Sequence, residues 1–202
     1  MDRDTQAKWD RFARSFDLMT GAGPDRRWGP HKRTLFGAMR GRILFLALGT
    51  GLDIAFFPPG QHITAIDISP KMLEYASPRI AAYPGQIAAE VMDVHDLRFA
   101  DASFDQVYTS CTFCSVPDPV AGLRQLHRVL VPGGELRMIE HTGSAYQPFR
   151  FILDLLTPMT RMLGPELNRP TVANVAAAGF EIREVKPIYI DIVKTIFAIK
   201  PA

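Results

Sequence analysis

The chain has 202 residues, 47% of them apolar and 22% charged, with a formal net charge of +2 and a mean hydropathy of +0.02. Such a chain can bury a sizeable core as one globular domain without disulfide staples. No segment approaches the ~18 uninterrupted apolar residues of a membrane span, and two cysteines behind a start that lacks a signal-peptide-like apolar stretch make a reducing cytoplasm the expected compartment.

Residues 1–42 hold ten Lys or Arg against five Asp, whereas the other 160 hold 13 against 16. That basic end points to an anionic partner or, more blandly, to a solvated helix face. Over 5–19, Trp9, Phe12, Phe16 and Met19 recur at steps of three or four beside Lys8, Arg11 and Arg14. A helix there has one apolar face and the make-up of an interfacial membrane helix. A further helix is expected over 30–40. From Ile43 onward, apolar runs of strand length alternate with helix-length stretches, the pattern of βα units around a mainly parallel sheet. Strands are expected at 43–48, 62–67, 87–92, 104–110, 134–140, 180–187 and 192–199, and helices at 51–56, 70–82, 119–130, 149–163 and 170–178. Ser69 with Pro70 is a good helix start, and Pro132-Gly133-Gly134 marks a turn into the fifth strand. The stretch 149–163 is a second candidate for a membrane surface: Phe149, Phe151, Ile152, Leu155, Leu156, Met159, Met162 and Leu163 outnumber its two Arg and one Asp. Core packing or self-association is the alternative for either helix alone. The two together with the basic end favour an anionic phospholipid surface.

The stretch from Ile43 to Ser69, ILFLALGTGLDIAFFPPGQHITAIDIS, is an apolar run, a small-residue turn and a second apolar run that stops on an acid. A strand ending in Gly49-Thr50-Gly51 presents backbone N–H groups to a ligand, and the next helix adds its positive end. Asp67 can accept two hydroxyl hydrogen bonds from a ribose. A dinucleotide fingerprint would need a third glycine where Ile54 stands. The pair Cys111–Cys114 spells C-x-x-C but lies where the fourth strand meets its loop, so packing near a ligand is expected rather than redox or metal chemistry. His95 and His127 read as surface or packing residues, and no metal site is expected. Glu140-His141 ends the fifth strand at the carboxyl edge, where open α/β folds bind ligands. The basic residues lack an aromatic stacking motif, which argues against nucleic acid.

With MDVHDLRFADASFDQVY placing Asp93 after a third strand, and LHRVLVPGGELRMIEH supplying a helix, a turn and a fifth strand, residues 40–200 resemble the class I S-adenosylmethionine-dependent methyltransferases. The resemblance implies a Rossmann-like doubly wound α/β fold, with a seven-stranded mainly parallel sheet whose last strand is antiparallel. It also implies one domain over 1–202, with 1–42 as an N-terminal amphipathic helical cap and 43–202 as the cofactor-binding core. S-adenosylmethionine would be the cofactor and S-adenosylhomocysteine the product. By the same resemblance Gly49, Thr50 and Gly51 lie beside the methionine part, with Ala47 where the first loop glycine is usual. Asp67 holds the ribose, and Ile68 and Met72 flank the adenine. Asp93 and the Val94 N–H meet the adenine edge, and Ser110 and Cys111 lie under the sulfonium. Phe45 replaces the family's usual first-strand acid.

The N-terminal segment, with Phe16-Asp17 where Tyr-Asp is usual, is similar to the cap of small lipid-quinone and phospholipid methyltransferases. LGTGLDIAFFPPG, CTFCSVPDP, IEHTG and LNRPTV resemble bacterial phospholipid N-methyltransferases most. That likeness implies a monotopic or peripheral enzyme on the cytoplasmic membrane, methylating phosphatidylethanolamine towards phosphatidylcholine. An amine with a pKa of about 10.4 must lose its proton to react, and His141 or Glu140 is the candidate base. Arg27, His31, Lys32 and Arg169 are candidates for the lipid phosphate, Phe16 for the substrate side, and Tyr146 for the head group. A C-methyltransferase of a ubiquinone or menaquinone precursor and an inactive cofactor-binding sensor stay open. The oligomeric state is not legible.

Overall fold

The computed structural model describes the backbone of residues 1–20, 24–163 and 166–202, and the side chains of all these except 19–20, 24–27 and 161–163. Arg27, Met19, Met162 and Leu163 of the sequence reading lie outside the described side chains. In chain order the elements are α1 (Arg3–Thr20), α2 (Pro24–Phe36), β1 (Ile43–Leu46), a 3₁₀ turn (Leu52–Phe56), β2 (His62–Asp67), α3 (Pro70–Ala82), β3 (Gln86–Val91), β4 (Phe104–Ser110), α4 (Pro119–Val129), β5 (Leu130–His141), α5 (Phe149–Leu163), α6 (Thr171–Ala177), β6 (Glu181–Tyr189) and β7 (Val193–Ile199).

The strands form one seven-stranded sheet in the order β3-β2-β1-β4-β5-β7-β6. β1 to β5 pair in parallel, and β7 runs antiparallel to both β5 and β6. β1 is buried along its whole length, which is why ILFL reads as an unbroken apolar run. Two apolar clusters cover the faces. One joins the sheet to α4 and α6 through residues such as Leu123, Leu126 and Val175; the other joins it to α2 and α3 through Trp28, Phe36 and Ala76. This is the doubly wound fold expected from the sequence, and its strand order reverses between β1 and β4, at the edge where such sheets bind ligands.

Two local expectations shift. The second helix spans Pro24–Phe36 rather than 30–40, because Gly37 closes it with an N–H donated to the Arg33 carbonyl at 2.8 Å. The Pro-Gly-Gly turn is absorbed into β5 as an irregularity: Gly133 takes a φ of 75° and the β4 register shifts between Phe104 and Gln106. Phe45 faces the α2 side of the core, with ring centroids 5.6 Å from Phe36 and 4.9 Å from Phe57. An acid could not be accommodated in that aromatic cluster without a partner.

Candidate active site

A pocket opens at the carboxyl edge of the sheet, over the reversal between β1 and β4. Its floor comes from strand ends: Ala47 and Gly49 after β1, Asp67 and Ile68 after β2, Asp93 and Val94 after β3, Ser110 and Cys111 after β4, with Met72 of α3 beside them. Asp67 is pinned by its neighbours. Its Oδ2 accepts the Gly49 N–H and its Oδ1 the Ser69 N–H, both at 2.8 Å. Burial pushes its carboxyl up to about 6, against those two N–H groups and with help from the nearby Asp10 charge. Asp93 is also buried, and burial alone would raise its carboxyl. Hydrogen bonds from the His95 and Asp2 N–H groups and the His95 ring outweigh that and hold it below the usual range. His95, expected as a surface or packing residue, lines the pocket and bridges Asp93 to the Asp118 carbonyl. The sequence signal was there, two residues past an acid at a strand end.

The roof of the pocket is α1. Asp2, Thr5, Trp9 and Phe16 line it, and the Trp9 ring packs on Phe12 and Phe16. The apolar face read as membrane-facing therefore turns inward. Three carboxyl contacts hold it there: the Asp2 N–H donates to Asp93, Asp10 accepts from the Ser69 hydroxyl at 2.5 Å, and Asp17 accepts from the Thr50 hydroxyl and from Arg79 at 2.7 Å. Thr50 is thus drawn out of the expected ligand loop and fastens the roof. Gly51 is not a lining residue either. A Cβ there would sit 3.0 Å from Ile54 and 3.3 Å from Ala76, so this glycine serves the packing of α3.

The expected catalytic and phosphate-binding residues do not assemble. Glu140 is 0% exposed, and its carboxylate accepts the Thr109 hydroxyl at 2.7 Å and the Thr112 and Phe113 N–H groups at 3.1 Å. Burial pushes it up to about 7 against those donors. It anchors the loop after β4 from below and does not face the pocket. His141 does not line the pocket; its ring lies 5.2 Å from that of Trp28, and burial lowers its pKa. Tyr146 is exposed outside the pocket, and so is His31. Lys32 is buried and paired with Asp53 at 2.6 Å, as a buried ammonium requires. Arg169 pairs with Glu166 at 2.9 Å and donates to the Val116 carbonyl. Phe16 belongs with the roof, where its ring edge lies 3.9 Å from the position of a Cβ at Gly49. Thr112, Ser115, Val116 and Pro117 add a wall that the sequence reading did not name.

Residues 44–138 match the family described as a methyltransferase domain. The chain is 34% identical over 157 residues to the ubiquinone/menaquinone biosynthesis C-methyltransferase UbiE of Geotalea daltonii, a match that covers 73% of this chain and 67% of that relative. The chain belongs to the class I S-adenosylmethionine-dependent methyltransferases. To the phosphatidylethanolamine N-methyltransferase of Cereibacter sphaeroides the methyltransferase is 28% identical, over 78% of its own length and 76% of the relative's. Its fold superposes with a TM-score of 0.70 on an S-adenosylmethionine-dependent methyltransferase from Thermotoga maritima, at 16% identity over 97% of this chain and 99% of that one.

S-adenosylmethionine is the cofactor of the methyltransferase, and the pocket suits it. At Gly49 the φ is 60° and a Cβ would meet only Phe16, 3.9 Å away, so the backbone is open to a close ligand. Each oxygen of Asp67 takes one backbone donor and keeps acceptor capacity for a diol. Ala47, at the family's first glycine position, takes a φ of 57°, a left-handed conformation that disfavours a Cβ. Burial pushes the thiol of Cys111, in the pocket floor, well above the usual range and that of Cys114 up to about 12, which disfavours the reactive thiolate at both. Among the described residues no group of three or more His, Cys, Asp or Glu could hold a metal ion.

Proposed function

We propose that the methyltransferase acts on a lipophilic acceptor taken from a membrane surface. The observation that carries this reading is α5, which follows the carboxyl edge of β5. Phe151, Leu155 and Met159 are 63%, 65% and 70% exposed, with Phe149, Ile152 and Leu156 exposed beside them. A patch of that size is unusual on a soluble surface and ordinary on an interfacial helix. Among the described residues no helix is long and apolar enough to cross a membrane, so α5 would lie in the interface.

S-adenosylmethionine supplies a methyl already activated by a positive sulfur. The chain then has to hold it, hold the acceptor in line and exclude water. In this reading Gly49 lies beside the methionine part, Asp67 accepts the ribose hydroxyls, Ile68 and Met72 flank the adenine, Asp93 and the Val94 N–H meet its edge, and Ser110 and Cys111 approach the sulfur. Trp9 and Phe16 close the roof, and aromatic faces favour a positive sulfur.

We favour a hydroxylated quinone precursor, methylated on a ring carbon, as the acceptor. It needs no phosphate cradle, and Lys32 and Arg169 are held in ion pairs; the name of the Geotalea relative supports the same choice. Phosphatidylethanolamine is the second reading, supported by the name of the Cereibacter relative. Purified protein given methyl-labelled S-adenosylmethionine and vesicles carrying both acceptors should label the quinone. Label in the ethanolamine head group alone would move the assignment to the second reading, and no label in either, with S-adenosylhomocysteine still bound, would overturn both. Leu155→Glu with Met159→Glu should weaken binding to anionic vesicles at least about tenfold, since burying one such side chain is worth about 1.5–3 kcal/mol. Flotation with the vesicles measures it. Because no described residue of α5 lines the pocket, cofactor affinity should stay within about twofold.

A further inference from the structure

The turn between β6 and β7 projects from the carboxyl edge of the sheet, because β7 begins at Val193, opposite His141 at the end of β5. The pocket opens at the same edge. The turn reads Ile188-Tyr189-Ile190-Asp191-Ile192, and its apolar residues divide. Ile188 and Ile192 pack on the cluster that joins the sheet to α2 and α3, whereas Tyr189 is 36% and Ile190 50% exposed. Ile190 also takes a φ of 50°, a left-handed conformation that strains a β-branched residue and that glycine or asparagine adopts with less cost. Neither backbone preference nor hydration explains an isoleucine at that exposed tip.

A clasp fastens the turn to the foot of α5. The Asp191 carboxylate accepts the Ser144 hydroxyl at 2.6 Å and the Ala145 N–H at 2.7 Å, and the next carbonyl, that of Tyr146, accepts the Arg150 N–H of α5 at 2.9 Å. The clasp brings Tyr189 and Ile190 to the end of α5 where Tyr146 and Phe149 are exposed. We propose that the β6–β7 turn is a second membrane contact of the enzyme, with Ile190 entering a phospholipid surface and Tyr189 and Tyr146 at its polar boundary. The proposal rests on the membrane-surface reading of α5 and extends it. A single interfacial helix leaves the body free to roll about the helix axis; a second contact clasped to its foot sets how the pocket edge faces the lipid. A second copy of the chain suits this surface less well. β6 is an edge strand, but Arg183, Glu184 and Lys186 are exposed along it and Pro187 has no N–H to offer, features that guard an edge against strand addition.

Flotation of the full chain with phosphatidylglycerol–phosphatidylcholine vesicles tests this, with Ile190→Asn as the variant. Asparagine suits the left-handed conformation, so Tm should hold or rise. Vesicle affinity should nevertheless fall roughly three- to tenfold, as expected when one half-exposed isoleucine is lost from an apolar contact. Should Ile190→Asn fold poorly, Ile190→Gly adopts the same conformation without a side chain and gives the same comparison. Wild-type affinity in a folded variant would overturn the proposal and leave the α5 reading standing, whereas a wild type that does not float would overturn both. A dimer in sedimentation that Ile190→Asn dissociates, with flotation unchanged, would assign the tip to a second copy and overturn the lipid contact.

Discussion

Replacing Asp67 with alanine is expected to weaken S-adenosylhomocysteine binding by roughly 10- to 100-fold in a protein that still folds. The ribose hydroxyls would lose a charged acceptor, worth about 1.5–3 kcal/mol, and the Gly49 and Ser69 N–H groups would lose theirs. The pH dependence follows from the same carboxyl. Burial raises it to about 6 in the folded protein, and hydroxyl donors favour its ionised form. Affinity should therefore be level above about pH 6 and fall below it, by about tenfold per pH unit. The effect on stability has the opposite sign: a carboxyl raised on folding contributes stability that is present below its ordinary value of 3.8 and lost as pH rises through about 6. Calorimetric titration at pH 5 and pH 7.5 would measure the binding part. An Asp67→Ala protein with wild-type affinity, or a wild type with no loss at pH 5, would contradict the ribose role.

The second large effect is expected at Glu140. Alanine there leaves the Thr109 hydroxyl and the Thr112 and Phe113 N–H groups buried without their acceptor, and a cost of about 3–5 kcal/mol follows from the removal of a buried carboxylate hub. In a chain of this size that lowers Tm by roughly 10 °C. A general base would behave differently, with turnover lost and stability kept. Glu140 is raised to about 7 from 4.5 by burial, so its contribution to stability is full below pH 4.5 and is lost as pH rises through about 7. Glu140→Gln should remove that portion of the pH dependence. Thermal unfolding from pH 5 to 8 checks both, and a Tm unchanged in Glu140→Ala would return Glu140 to the catalytic candidates.

Strand ends were legible in the sequence because buried parallel strands read as apolar runs and their carboxyl edge is where an α/β sheet meets its ligand. Gly49, Asp67 and Asp93 could be placed in that way. The partner of an apolar helix face could not. Periodicity shows that Trp9, Phe12 and Phe16 share a face of α1, yet only the contacts of Asp2, Asp10 and Asp17 turn that face onto the pocket. Charge pairing was equally hidden: Lys32 looks like a free cation until Asp53, 21 residues on, closes upon it. The donors that fix Glu140 come from residues 27 to 31 positions earlier, so an acid at a strand end looked available for chemistry when it was holding a loop.

Methyl transfer into total lipid is the most direct measurement. The purified protein would be incubated with methyl-labelled S-adenosylmethionine and vesicles made from a bacterial total lipid extract, and the label then partitioned between organic and aqueous phases. Label should appear in the organic phase, and Leu155→Glu with Met159→Glu should lose most of it while retaining S-adenosylhomocysteine binding. Label confined to water-soluble products, or transfer into lipid that is indifferent to the α5 substitutions, would contradict a pocket served from a membrane surface.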